Sequence, residues 1–255
     1  MNQLMRKIYE KSELQFALLW IVVYCVAESL ANLLSEIVGI NSSVTFLLNG
    51  ILTLTLFLWI RKNGLMEKYG LCKTSVPISK FIWYLPLFCV VSHNLWLGVG
   101  MNLPIIDIIC YIGSMCFVGF LEEIIFRGFL FKALAKDNVK MAIVVSSVTF
   151  GIGHLLNLVN GSGMELVDNL CQVVGAIAVG FLFVILFYRG GSMIPCIAAH
   201  AATNAISVFA NEAALTVEKQ ILLSVINTAI VVVYTCILSR TLPKSVPAET
   251  AQNKP

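Results

Sequence analysis

The sequence predicts an all-α membrane protein, a polytopic bundle of about eight transmembrane helices with both termini in the cytoplasm. Of the 255 residues, 58% are hydrophobic and 12% are charged, and the mean hydropathy is +0.88. Soluble domains carry about 25% charged residues, so this chain cannot cover a water-facing surface. Its apolar runs reach about 20 residues, enough to cross the hydrocarbon layer as helices. Strand-like alternation is absent, which excludes an outer-membrane barrel.

Hydropathy divides the chain into eight predicted spans. Their limits are 14–38, 43–60, 81–101, 104–130, 141–157, 170–188, 192–211 and 221–239. The first run is too long for a signal peptide, so we interpret it as an uncleaved span. Residues 1–255 are therefore predicted to form a single transmembrane domain.

The distribution of basic residues predicts the orientation of these spans. With a cytoplasmic N-terminus, 15 of the 17 Lys and Arg residues fall in cytoplasmic segments. Lys219 alone lies outside, and Arg127 lies within a span. Cytoplasmic loops of membrane proteins are enriched in Lys and Arg, so this bias favours eight spans with both termini inside.

The positions of the cysteines and tryptophans indicate packing roles and no chemistry. Seven of the eight cysteines lie inside apolar runs and no C-x-x-C pair occurs, so they are interpreted as small hydrophobic residues. The tryptophans lie toward the predicted span ends, where the ring commonly anchors a helix at the membrane interface. They are Trp20, Trp59, Trp83 and Trp96.

Ionisable and polar residues inside the spans form three motifs, E-E-x-x-x-R, F-x-x-x-H and H-x-x-x-N. The residues are Glu122, Glu123 and Arg127 in the fourth span, Phe150 and His154 in the fifth, and His200 and Asn204 in the seventh. A charged group in the bilayer is costly, so those that persist usually face the bundle interior and have a function. The rise of a helix puts Glu122 about 15 Å from Lys132, a depth compatible with that of the two histidines.

The helical spacing separates the two glutamates. Glu123 and Arg127 are four residues apart and can pair on one face of the helix. Glu122 lies about 100° further round and can point elsewhere.

Two kinds of chemistry fit these residue types. A carboxylate beside an imidazole can activate water, while a second imidazole and a carboxamide donate to the resulting oxyanion, with no cofactor required. Alternatively, Glu122, His154 and His200 could hold a zinc ion that activates the water. The protease signatures H-E-x-x-H, G-x-S-G and G-x-G-D do not occur.

The three motifs resemble those of the CAAX-protease and bacteriocin-processing family of membrane peptidases, also called the CPBP or ABI family. The resemblance covers about residues 112–210, which we interpret as the core of the domain. It implies an eight-helix intramembrane glutamate-type endopeptidase, CAAX prenyl protease-like, of a kind often labelled a metalloprotease.

The resemblance also implies a role for each motif residue. Glu122 would be the general base, with His154 as its partner in activating water. His200 and Asn204 would form the oxyanion hole. The supporting residues would be Glu123, Arg127 and Phe150.

The resemblance and the chain's membrane character imply a membrane-associated peptide or protein substrate, the lipid bilayer as a partner, and no nucleic acid. Peptide or bacteriocin maturation, or bacteriocin self-immunity, in a bacterial plasma membrane is the expected role. A non-proteolytic scaffold or regulator with the same fold is the alternative. A proton-coupled transporter is less favoured, because the sequence shows no internal repeat.

Overall fold

The helices of this computed structural model begin and end close to the polar residues that interrupt the apolar runs. The structure describes residues 2–74, 76, 85–101, 103–160 and 164–242. Within these residues the chain forms the following α-helices: α1 (Asn2–Lys11), α2 (Glu13–Val38), α3 (Ser43–Lys62), α4 (Leu85–Ser92), α5 (Ile105–Glu122), α6 (Lys132–Ala135), α7 (Val139–Gly153), α8 (Leu166–Gly190), α9 (Ile194–Ile206) and α10 (Val217–Thr241). A π-helical segment, Glu123–Phe131, joins α5 to α6.

Six helical stretches in the described part of the chain are long and apolar enough to span a membrane. They are Glu13–Val38, Ser43–Lys62, Ile105–Ala135, Val139–Leu158, Leu166–Gly190 and Val217–Thr241. The third and seventh predicted spans correspond to shorter apolar helices, Pro86–Leu95 and Ile194–Phe209. Residues 81–84 of the third span lie outside the described residues. The chain is therefore an all-α integral membrane protein with about eight helices, as predicted, and the helix of the seventh span is shorter than expected.

Local polar groups fix several helix boundaries. The side chains of Ser12, Asn138 and Thr216 accept hydrogen bonds from backbone amides of the first turns of α2, α7 and α10. Such caps satisfy amides that have no partner inside the helix. Gly39 and Gly191 end α2 and α8 with φ angles of 75° and 71°, a left-handed conformation that glycine adopts without strain.

Small residues let the central helices approach closely. α5 packs on α9 and α3, and α8 packs on α7 and α10. A Cβ atom added at Gly119 would lie 2.7 Å from the backbone nitrogen of Ala201, and one added at Gly151 would lie 2.2 Å from the Ile177 side chain. Only glycine permits these two contacts, which bring α5 against α9 and α7 against α8.

A buried aromatic cluster joins α1, α2 and α3 to the π-helical segment. Phe16 stacks on Trp59 with ring centroids 4.9 Å apart, and it contacts Phe129 edge-on at 5.0 Å. Trp20 and Trp59 are only 8% and 4% exposed. The interpretation of these two tryptophans as interface anchors was therefore wrong, because their rings fill the bundle interior; Trp83 lies outside the described residues.

Candidate active site

The adjacent glutamates lie where the helix changes from α to π geometry. Glu122 is the last residue of α5, and Glu123 begins the π-helical segment. Segments of this kind are frequent at functional sites, because they redirect side chains within a helix. The Ser146 hydroxyl donates to the carbonyl oxygen of Phe126 at 2.8 Å. This hydrogen bond ties the π-helical segment to α7 and satisfies a buried backbone acceptor.

The Glu122 carboxylate contacts side chains from two other helices. The Tyr24 hydroxyl of α2 donates to Glu122 Oε1 at 2.9 Å. His200 Nε2 of α9 lies 3.5 Å from Glu122 Oε2, within ion-pair range but without hydrogen-bond alignment. Oε2 therefore has no hydrogen-bond donor among the described residues and can accept a proton from another molecule.

The Glu123 carboxylate is fully buried and lies between the imidazole of His200 and the guanidinium of Arg127. Its Oε1 lies 2.8 Å from His200 Nδ1 and 3.2 Å from Arg127 Nη1. The ion pair between Glu123 and Arg127 is the one that the i,i+4 spacing predicts. The contact with His200 was not predicted, and it fixes which ring nitrogen faces Glu122.

Aromatic faces surround the guanidinium of Arg127. Its Cζ lies 4.0 Å from the centroid of the Phe150 ring and 5.7 Å from that of Phe183. The guanidinium nitrogens make no aligned hydrogen bond with the described residues, although Nη1 is within ion-pair distance of Glu123. A buried cation needs compensation, which the carboxylate and the ring quadrupoles together supply.

His154 follows the last residue of α7, and the chain around it is held by two hydrogen bonds. Its Nδ1 lies 3.1 Å from the carbonyl oxygen of Phe150, and its own carbonyl oxygen accepts from Asn169 Nδ2 of α8 at 2.8 Å. The Phe150 ring contacts both histidine rings edge-on, with centroids 5.1 Å from His154 and 5.7 Å from His200. Phe150 thus packs against both imidazoles and limits their orientation.

The predicted residues divide into those that line a cavity and those behind its wall. The cavity has a volume of about 1090 Å³, and Glu122, His154, His200 and Asn204 all line it. Phe150 also lines it, whereas Glu123 and Arg127 do not. The four residues assigned to chemistry therefore face one space, and the buried ion pair lies outside that space.

The sequence interpretation missed other residues at this cavity. The sequence motifs assigned no function to Tyr24, Glu28 or His93, yet all three line the cavity. Asn49 Nδ2 lies 3.4 Å from Glu28 Oε1. The spacing of Tyr24 and Glu28, four residues apart on one face of an apolar helix, was the available signal.

No three His, Cys, Asp or Glu side chains in the described part of the chain are placed to hold a metal ion together. This includes the alternative zinc set of Glu122, His154 and His200. In that set, Glu122 and His200 approach each other to 3.5 Å.

The fold and the cavity define a polytopic helical membrane protein with a carboxylate–imidazole site inside the bundle. Residues 104–206 match the family model described as type II CAAX prenyl endopeptidase Rce1-like. No curated protein and no solved structure matches the chain.

The matched residues include all three motifs, and over this stretch, which is less than half of the chain, the protein is similar to the CAAX-protease family. The matched model describes a family of proteases, so the similarity supports an enzymatic function. The helices α2 and α10, which also contribute to the cavity, lie outside the matched residues.

Proposed function

We propose that this protein is a glutamate-type intramembrane endopeptidase in which Glu122 activates water to hydrolyse a peptide bond. One observation carries the proposal: Glu122, His154, His200 and Asn204 line a single cavity inside the bundle. Glu122 Oε2 has no hydrogen-bond partner among the described residues, so it is free to accept the proton of a water molecule.

The reaction needs no covalent enzyme intermediate. Glu122 Oε2 takes a proton from water as the water oxygen attacks the carbonyl carbon of the peptide. The amide N–H of Asn204 and Nε2–H of His200 donate to the negative carbonyl oxygen that forms. Glu122 then returns the proton to the leaving amide nitrogen as the carbon–nitrogen bond breaks. His154 contributes a second imidazole that orients the water and the carboxylate.

The buried ion pair supports the orientation of His200. When Nδ1 of this ring donates to Glu123 at 2.8 Å, Nε2 can donate to an oxyanion only if the ring carries a second proton. Arg127 pairs with Glu123 and holds its carboxylate in place, and Phe150 packs against the guanidinium and both imidazoles.

We propose that no metal is required, because water activation and oxyanion binding both have protein groups assigned to them. A zinc mechanism through Glu122, His154 and His200 remains the alternative. Dialysis against a strong chelator separates the two: the glutamate mechanism predicts full retention of cleavage. Loss of cleavage, with recovery on adding zinc, would favour the metal.

The position of the cavity suggests the side from which a substrate arrives. The cavity extends toward the C-terminal end of α2 and the N-terminal ends of α5 and α8. The basic residues cluster at the opposite helix ends, so the positive-inside rule puts the opening on the outer face. This favours a membrane-associated peptide, as in bacteriocin maturation or self-immunity at a bacterial plasma membrane, over a prenylated cytoplasmic C-terminus.

Replacing Glu122 by Gln in cells tests the function and separates it from a scaffold role. Peptide termini are mapped by mass spectrometry in cells that carry the wild type, Glu122→Gln or the control Glu67→Gln, a change outside the cavity. We expect cleavage products to disappear only in Glu122→Gln, with an unchanged amount of protein in the membrane. If the biological phenotype persists without Glu122, the protein acts as a scaffold or regulator.

A further inference from the structure

The cavity wall is strongly acidic. Six of the chain's 14 Asp and Glu residues line it, and none of the described residues that line it is Lys or Arg. The six are Glu28, Glu36, Asp107, Glu122, Asp168 and Glu212. Glu122 belongs to the proposed active site. The helical rise separates it from Asp107 by about 22 Å, so the carboxylates extend from the site to the mouth of the cavity.

Ion pairs within the protein do not explain these carboxylates. Apart from Glu122, none of the six forms an ion pair with a described residue. The nearest ammonium along the chain, that of Lys219, donates to the carbonyl oxygen of Ala214 and does not line the cavity. The imidazoles that line it are His93, His154 and His200.

Helix capping explains only part of the acidic mouth. Asp107 and Asp168 lie in the first turns of α5 and α8, where the helix dipole favours a carboxylate. Glu36 lies in the last turn of α2, where the dipole disfavours one. The helix dipole therefore does not account for Glu36, whose place at the cavity fits the attraction of a positively charged ligand.

A second feature of the wall also indicates a ligand. Asn227 of α10 lines the cavity with its side chain 93% buried, and its Oδ1 has no hydrogen-bond partner among the described residues. The Oγ1 atom of Thr228 is also unpartnered. Gln220 and Ser224 line the same cavity at helical spacing, so α10 presents a polar stripe to it. A buried acceptor without a donor is costly, and a peptide N–H would satisfy it.

We propose that this cavity binds an extended peptide segment that carries Lys or Arg side chains. The carboxylates at the mouth attract the positive charges, and the polar stripe of α10 binds the peptide backbone. Within the proposed function, this segment is the part of the substrate next to the cleaved bond. Low-dielectric walls of one charge concentrate ligands of the opposite charge, so binding should weaken as salt rises.

Binding to the inactive variant Glu122→Gln tests the preference without any cleavage. Two fluorescent peptides of equal length are compared by anisotropy, one with three Lys residues and one with three Glu residues at the same positions. We expect the Lys peptide to bind at least about tenfold more tightly at low salt, and the difference to shrink at high salt. Equal affinity for the two peptides, or no binding of either, would overturn the proposal.

Further substitutions in the Glu122→Gln variant test whether residues of the cavity wall cause the preference for the Lys peptide. Asp107→Asn with Asp168→Asn should remove most of it, whereas the control pair Glu67→Gln with Asp137→Asn, outside the cavity, should not. Asn227→Leu should weaken binding of both peptides equally. A preference that survives at full size in the Asp107 and Asp168 variant would contradict the assignment. Size-exclusion profiles and thermal unfolding establish that each variant is folded.

The two proposals can fail separately. Cleavage that persists in Glu122→Gln would remove the proposed mechanism, yet a charge-selective cavity could still be measured. Cleavage that depends on Glu122, together with equal binding of both peptides, would leave the peptidase and remove the acidic subsite.

Discussion

The hydroxyl of Tyr24, which lies 98 residues earlier in the chain, donates a hydrogen bond to Glu122 Oε1. Because Tyr24 occupies Oε1, the proton accepted from water would go to Oε2. A hydrogen bond to a charged group contributes about 1.5–3 kcal/mol, so the hydroxyl should hold the carboxylate in its reactive orientation.

Tyr24→Phe keeps the ring and removes only that hydroxyl. We expect kcat to fall by about tenfold or more with little change in KM, because the loss affects the positioning of the base and not peptide binding. Steady-state kinetics with a fluorogenic peptide measures both constants. A raised KM with unchanged kcat would instead place Tyr24 in substrate binding.

The ion pair of Glu123 and Arg127 predicts a non-additive effect on stability. Arg127→Met leaves a fully buried carboxylate without its cation and should lower the free energy of unfolding by about 3–5 kcal/mol. Glu123→Gln added to Arg127→Met should recover part of this loss, because it removes the uncompensated charge. Denaturation in mixed detergents measures the free energy of unfolding of the wild type, the two single variants and the double variant. A double variant less stable than Arg127→Met would contradict the coupling.

Among the elements, the contact of α5 with α9 determines the distance between the glutamates and His200. Gly119 of α5 lies three residues before Glu122. It packs against the backbone of Ala201 in α9, the residue that follows His200. A side chain here must separate the helices by a few tenths of an ångström or more. The two Glu–His contacts at 2.8 and 3.5 Å would lengthen with it.

Gly119→Ala should therefore lower activity by about tenfold or more and destabilise the bundle by about 1–3 kcal/mol, as overpacking does. Gly190→Ala is the control, because a Cβ atom there meets only the Thr74 hydroxyl oxygen at an ordinary 3.8 Å. Peptide cleavage and thermal unfolding are compared for the two variants. Equal effects of both substitutions would show that the approach at Gly119 is unimportant.

The sequence predicted the helical motifs better than the contacts between helices. The spacing of Glu123 and Arg127 predicted their ion pair, because both belong to one helix. The π-helical segment was not predictable, since it depends on tertiary contacts such as the Ser146 hydrogen bond. Tyr24 was missed for a similar reason: its partner lies on another helix, and no local pattern records that contact.

At the scale of the whole molecule, hydropathy predicted the number and order of helices but not their lengths. The segment 192–211 looked as apolar as a full span, yet its helix covers only Ile194–Phe209. Burial among neighbouring helices lets a short helix lie within the bundle without crossing the bilayer, and hydropathy cannot distinguish the two cases. The full wall of the cavity was likewise not predictable, because seven of the described α-helices contribute residues to it.

The predicted orientation puts both termini in the cytoplasm and the cavity mouth outside. In a cysteine-free background, Asn41→Cys should react with a membrane-impermeant maleimide in intact cells, because it follows the outer end of α2. Lys73→Cys should react only after the cells are opened. The opposite pattern would invert the topology and move the substrate to the cytoplasmic side.

The most direct measurement of the central claim is the cleavage rate of the purified protein in lipid vesicles with and without the Glu122 carboxylate. A general base contributes about 10²–10⁴-fold, so Glu122→Gln should lose at least about a hundredfold in kcat while binding the same peptide and unfolding at the same temperature as the wild type. A Glu122→Gln variant that cleaves the peptide at the wild-type rate would contradict the claim that Glu122 activates the water.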